Sequence, residues 1–171
     1  MKNNFNFKIV GSGPTGLLLS IALSKFNCNI YLTDLLPRER LIDKDKTYAI
    51  THSTRKILSK FGLWEKVEPY LFGFDTLSIS DSVTSSFTNL TISDLDDDIS
   101  SVANIGWVVK HTDLIRVFFR EIDNYDNIFF MTSQKLLNSK ILFDYQFFST
   151  GANSQDKKFF DFFDLKKSYN Q

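Results

Sequence analysis

Six residues near the start of the chain, Gly11-Ser12-Gly13-Pro14-Thr15-Gly16, have the spacing G-x-G-x-x-G. These residue types in this order suit the close approach of a diphosphate to the backbone. Gly11 allows a sharp turn out of a strand, and Gly13 has no Cβ to hold phosphate oxygens away from the main chain. Gly16 lets the following helix lie close to the strand. Pro14 fits the first helical turn, where its missing N–H costs nothing. The mouth of that helix, with Thr15 in it, aims free N–H groups and partial positive charge at a phosphate. Asp34 stands 18 residues after Gly16. A carboxylate at about that spacing, ending the next strand, can accept hydrogen bonds from ribose hydroxyls.

The chemistry needs elements that hold these residues in place, and the sequence supplies them. Phe5 to Val10 is largely apolar, as a buried parallel strand is. Leu17 to Phe26 carries apolar residues at helical spacing, and Asn29 to Thr33 reads as a second strand ending at Asp34. Together they form a βαβ unit of the length a right-handed crossover requires. Both FAD and NAD use this arrangement. Arg38 and Arg40 either offer charge to a 2′-phosphate, which would indicate NADP, or stand in a solvated loop.

Leu35 to Lys46, charged and holding Pro37, is expected to be a loop. Thr51 to Phe61 is expected to be a helix capped by Thr51 or Ser53 and ended by Gly62, with a short helix over Leu63 to Leu71. From Phe74 to Ile92, Leu77, Ile79, Val83, Phe87, Leu90 and Ile92 alternate with Ser and Thr, which predicts half-buried antiparallel strands. The acidic run Asp94 to Asp98 reads as a solvated loop. A strand over Ile105 to Val109, a helix over Thr112 to Ile122 and a strand over Asn127 to Met131 come next. Beyond Ser133 the pattern weakens, with a strand expected over Phe143 to Phe148. The fold class is therefore α/β: a Rossmann-like parallel sheet with part of an antiparallel sheet inserted. Residues 1–70 are read as the dinucleotide-binding part, 71–103 as the antiparallel insert, 104–156 as the return to the first domain and 157–171 as a tail.

The totals bound the function. The chain has 171 residues, with Lys plus Arg 20 and Asp plus Glu 20. Zero net charge argues against a nucleic-acid partner, which would favour a basic excess. Cys28 is the single cysteine. It allows no internal disulfide, fits a reducing compartment and reads as a small buried hydrophobe. The N-terminus lacks the pattern of a signal peptide, no apolar window is long enough to span a membrane, and no metal site is expected. A cytoplasmic location is the resulting expectation.

Past the glycine turn the chain resembles the flavin-dependent aromatic hydroxylases typified by para-hydroxybenzoate hydroxylase, in the ubiquinone-biosynthesis (UbiH-like) branch. Three stretches carry the likeness: KIVGSGPTGLLLSIALSKFNCNIYLTD over 8–34, DKTYAITHSTRKILSKFGLWEKV over 45–67 and GWVVKHTDLIRVFF over 106–119. STGANS over 149–154 is a fainter echo of the family's Asp-Gly-Ala-x-Ser motif, and Tyr169-Asn170-Gln171 resembles the family's residues just after that motif.

The resemblance implies a GR2-type FAD-binding fold, FAD as cofactor with NAD(P)H as reductant, and hydroxylation of a prenylated phenol or related aromatic ring. A lipid-soluble substrate of that kind implies peripheral contact with the inner membrane. Gly11, Gly13, Pro14, Thr15, Gly16 and Asp34 would hold the ADP half, with Lys46 and His111 on the flavin side and no catalytic base assigned. Trp64 and Trp107 are read as core aromatics. Two residues depart from the family pattern. Lys46 stands where the family has arginine and lacks its planar fork, and Thr150 stands where the family has aspartate. The stretch from Ile128 to Thr150 looks too short for the strands the family places there. The resemblance further implies an N-terminal portion or shortened copy, with room for a separate chain supplying the other half. An NAD(P)-binding dehydrogenase domain and a non-catalytic remnant are the competing readings.

Overall fold

The structure, a computed structural model, describes residues 5–95 and 103–151. In chain order its elements are β1 (Phe5–Val10), α1 (Pro14–Leu23), β2 (Cys28–Asp34), α2 (Arg38–Ile42), β3 (Thr47–Ile50), α3 (His52–Lys60), α4 (Trp64–Val67), β4 (Phe72–Phe74), β5 (Thr76–Asp81), β6 (Ser86–Thr91), β7 (Gly106–Lys110), α5 (His111–Ile122), β8 (Ile128–Thr132), α6 (Ser133–Leu137) and β9 (Tyr145–Phe148). Single 3-10 turns cover Glu68–Tyr70 and Ile92–Asp94.

A parallel four-stranded sheet, in the order β8-β2-β1-β9, forms the centre. Its register sets Ile9 beside Leu32 and Phe147, and Ile30 beside Phe7 and Ile128. Ile9, Ile30 and Leu32 are fully buried beneath a layer that includes Leu17 and Ile21 of α1 and Ile115, Phe118 and Ile122 of α5. Leu114, Ile115, Phe118, Phe119 and Ile122 recur at helical spacing, so α5 turns one broad apolar stripe to the core. Each large side chain buried there contributes about 1.5–3 kcal/mol relative to exposure. Cys28 is buried among them, as its apolar setting predicted, and burial raises its thiol pKa.

A second sheet is antiparallel and ordered β3-β7-β4, and β7 leads directly into α5 of the core. Trp107 on β7 meets Trp64 on α4 edge to face, with ring centroids 5.0 Å apart, and both are buried. Arg55 lies over both rings. The two tryptophans are core aromatics, as expected.

Several expectations are corrected. The Leu35 to Lys46 loop contains α2, because Pro37 sits at the N-cap of a short helix rather than breaking one. The helix expected over Leu63 to Leu71 is one turn of α-helix followed by a 3-10 turn. Thr51, not Ser53, caps α3, its Oγ1 accepting the Thr54 N–H. The strands between Phe74 and Ile92 are antiparallel as predicted but not half-buried. Among the described residues β5 and β6 pair only with each other, and Leu77, Ile79, Phe87 and Leu90 are all exposed. Beyond Ser133 the chain forms α6. The acidic run begins with Asp94 closing a capping box with Thr91. Asp96 to Asp98, Ala152 to Ser154, the tail and the closing Tyr169-Asn170-Gln171 lie outside the described residues. Among the described residues no helix is long and apolar enough to cross a membrane.

Candidate dinucleotide site

β1 ends at Val10, and Gly11 then turns the chain with φ +103°, a conformation that disfavours any side chain. A Cβ on Gly11 would come 2.5 Å from the Ser149 carbonyl oxygen. Ser149 follows β9 and binds this turn three ways. Its amide donates to the Val10 carbonyl at 2.7 Å, and its Oγ donates to the carbonyls of Val10 at 3.1 Å and Gly11 at 2.8 Å. Gly16 is closed in as well, since a Cβ there would strike the Gly11 carbonyl oxygen. Gly13 differs from both: a Cβ would meet nothing within 4 Å. The three glycines thus divide into two that admit packing and one that faces open space.

Gly13 is the N-cap of α1 and Pro14 its first residue. The first helical donor is Leu17, which reaches the Gly13 carbonyl at 3.0 Å. The amides of Thr15 and Gly16 precede it and have no helical acceptor. Across the mouth, Asp34 Oδ2 accepts the Ser12 N–H at 2.8 Å, and Oδ1 accepts the Leu35 N–H at 2.8 Å. These bonds hold the carboxylate at the turn.

Gly11, Gly13, Pro14, Thr15, Asp34, Lys46 and His111 all line one cavity of about 590 Å³. Gly16 lies behind it, packed against the turn. The wall also includes Thr150, at the position where the resemblance expects aspartate, and Lys44, Tyr48, Ser133 and Ser149, which the sequence did not single out as ligand-facing groups. The cavity therefore brings together a helix mouth, two ammonium groups and one carboxylate. That donor set fits a diphosphate joined to a sugar. The fit weakens at Thr150, which brings a hydroxyl where the resemblance expects a carboxylate. The orphaned Ser12 hydroxyl is buried and has no partner among the described residues. It does not line the cavity.

His111, read from the resemblance as a flavin-side group, lines the cavity with both ring nitrogens engaged. It opens α5 and is 3% exposed. Its Nε2 lies 2.7 Å from the Leu41 carbonyl oxygen and its Nδ1 lies 2.8 Å from Tyr48 Oη. Burial pushes its pKa below the ordinary 6.5. The Leu41 bond opposes that shift, and the nearby charges of Lys44 and Lys46 add to it. Burial also raises the Tyr48 phenol. Tyr48 lies within the 45–67 stretch that carries the resemblance, but its pairing with His111, 63 residues on, is not visible in the sequence.

Arg38 is spoken for. Its Nη1 meets Asp123 Oδ1 at 2.6 Å, and its guanidinium lies 5.0 Å from the Phe119 ring centroid. Neither it nor Arg40 lines the cavity.

No protein-family profile matches the chain. It is 34% identical over 80 residues to an uncharacterized protein, slr1300, of Synechocystis, which covers 47% of this chain and 19% of that protein. Among solved structures it resembles p-nitrophenol 4-monooxygenase PnpA from Pseudomonas putida, with TM-score 0.60 and 14% identity over 77% of this chain and 32% of that one. It also resembles PqsL from P. aeruginosa in complex with 2-aminobenzoylacetate, with TM-score 0.59 and 16% identity over 76% and 34% of the two chains. The flavin-dependent monooxygenase PieE, in complex with FAD and substrate, has TM-score 0.58 and 14% identity over 77% and 24%. The chain thus spans about a third or less of the length of these proteins. Across that span its fold is the α/β architecture of flavin-dependent monooxygenases, a parallel sheet accompanied by separate antiparallel sheets.

Proposed function

We infer that this chain carries the adenosine diphosphate half of an FAD site in a flavin-dependent aromatic hydroxylase. The finer reading is the ubiquinone-precursor branch, with NAD(P)H as reductant and a prenylated phenol as substrate. One observation carries the inference. Asp34 is hydrogen-bonded to the Ser12 amide directly across a turn whose Gly13 faces open space. That pairing sets a sugar-binding carboxylate beside free helix amides.

When bound, FAD supplies the electron transfer and oxygen activation that aromatic hydroxylation needs. The residues of this chain bind and orient. The Thr15 amide and the ammonium groups of Lys44 and Lys46 meet the diphosphate, and Asp34 accepts from the ribose. The flavin ring and the aromatic substrate belong to the further length that such enzymes have, whether in the same chain or a partner chain. The fold likeness to PieE and PqsL supports the flavin over a plain dehydrogenase, as does the antiparallel β5–β6 pair inserted between β4 and β7.

The test is a visible spectrum of the purified protein, before and after added FAD and gel filtration. Retained flavin absorbance that denaturation releases as FAD is expected. A protein that stays colourless with FAD, yet binds NADH with quenching of Trp64 and Trp107, would overturn the flavin reading in favour of a dehydrogenase.

A further inference from the structure

The Leu41–His111–Tyr48 chain in the cavity wall has a fixed hydrogen-bond polarity. The Leu41 carbonyl can only accept, so the His111 Nε2 beside it carries a proton. His111 is buried, and its charged form is disfavoured by burial and by Lys44 and Lys46. The ring is neutral, and Nδ1 holds a lone pair. Tyr48 Oη, 2.8 Å away, must then donate its single proton to that nitrogen. With its proton spent, Tyr48 Oη has only lone pairs left to offer, and among the described residues nothing else bonds to it.

We propose that Tyr48, oriented by His111, is a specificity-determining acceptor in the cavity that selects a ligand hydroxyl or N–H beyond the diphosphate and rejects a further phosphate oxygen. This rests on the nucleotide reading above and sharpens it. The helix mouth and the two lysines are donors, suited to the diphosphate oxygens. Tyr48 Oη and Asp34 are acceptors, suited to hydroxyls. A ligand matching both must carry hydroxyls on each side of its diphosphate, as ADP-ribose and the ribityl chain of FAD do and ADP does not. Tyr48 is the group that discriminates, and His111 is a positioning residue.

The test is calorimetric titration of the full chain with ADP, ADP-ribose and FAD, on the native protein and on Tyr48→Phe, His111→Leu and His111→Gln. ADP-ribose and FAD are expected to bind the native protein more tightly than ADP. Tyr48→Phe should erase about tenfold of that margin, the size of one lost hydrogen bond, and leave ADP unchanged. His111→Leu frees the Tyr48 hydroxyl to turn and donate, and should erase the margin in the same way. His111→Gln keeps an amide donor and acceptor and should restore most of it. The two His111 variants give the answer should Tyr48→Phe not fold. Equal losses for all three ligands, an unchanged margin in Tyr48→Phe, or no difference between the leucine and glutamine variants would overturn the assignment of Tyr48. A native protein that binds ADP but shows no margin overturns it too. A native protein that binds none of the three overturns the nucleotide reading and this inference with it.

Discussion

Gly13→Ala and Gly16→Ala make a matched pair, because both add one methyl group to the same turn with opposite surroundings. At Gly13 the backbone has φ −73° and ψ −177°, which alanine adopts without strain, and the new Cβ would meet nothing within 4 Å. Alanine caps a helix less well than glycine, but it also has fewer unfolded conformations to lose. The two effects, each about 0.5–1 kcal/mol, oppose one another. Gly13→Ala should therefore change stability by no more than about 0.5 kcal/mol. At Gly16 the Cβ strikes the Gly11 carbonyl, which is backbone and cannot swing aside, and comes 2.7 Å from Ser149 Oγ. Overpacking costs about 1–3 kcal/mol, and loss of the Ser149 to Gly11 hydrogen bond adds about 1 kcal/mol. A total near 3 kcal/mol lowers Tm by roughly 6–12 °C for a chain of this size.

Binding reverses the order of damage. A methyl group on Gly13 occupies the space in which a phosphate would approach the amides. Loss of one charge-assisted hydrogen bond, about 1.5–3 kcal/mol, weakens ADP binding roughly 10- to 150-fold. Thermal denaturation and calorimetry with ADP on both variants read the two effects separately. A Gly13→Ala protein that binds ADP as the native chain does would refute the reasoning. So would a Gly16→Ala protein of native Tm.

Three further outcomes rest on the same geometry. Asp34→Asn should weaken ADP binding several-fold more than inorganic pyrophosphate binding, since the sugar loses its acceptor while both ligands share the cost of one lost turn bond, to Ser12 or Leu35; equal effects in titrations of the two ligands would refute the sugar-binding role. His111 has a folded pKa below its unfolded value of 6.5, so between the two the unfolded chain binds more protons. Its stabilisation is then complete above about 6.5 and is lost as pH falls toward the folded value, by at most ~1.4 kcal/mol per pH unit; urea midpoints from about pH 5 to 7 should show that slope, and His111→Gln should flatten it. Leu77→Lys and Phe87→Lys, on a hairpin with both faces in solvent, should each shift stability by less than about 0.5 kcal/mol; a fall in Tm of several degrees would show that β5 and β6 belong to the core.

The first βαβ unit was legible because its signals are local. A run of apolar residues, three glycines at fixed spacing and an acid at the next strand end lie within 34 residues. β3 and β4, at four and three residues, are too short for any periodicity to register. Pro37 misled because the same residue breaks a helix from inside and starts one at its end. The alternation in β5 and β6 was real, but alternation reports that a strand has two unlike faces, not that anything covers one of them. Lys46 and His111 both lie in the cavity wall. The engagement of both His111 nitrogens could not be seen in the sequence, because Leu41 and Tyr48 reach it from 70 and 63 residues away.

The position of the site depends on strand order as well as on the glycines. The order β8-β2-β1-β9 sends the chain from β1 outward through β2 to β8, then back to the opposite side of β1. A parallel sheet whose order changes direction in this way opens a crevice at the carboxyl ends of its strands, where ligands settle. The cavity is lined from both sides of that change, by Val10, Gly11 and Gly13 after β1 and by Ser149, Thr150 and Gly151 after β9. The Ser149 bonds to Val10 and Gly11 join the two sides before any ligand arrives. A ligand seated there contacts both, so its binding energy should reach β9, which pairs with β1 along its whole length. At ADP concentrations near 100 times Kd the closed state gains about 2.7 kcal/mol, enough to slow exchange through ligand-releasing openings by up to about a hundredfold. Amide hydrogen exchange should therefore slow at Ser149 and along β9 as well as at the mouth of α1. Protection confined to α1 would mean that the ligand touches the glycine turn alone and that the crevice plays no part.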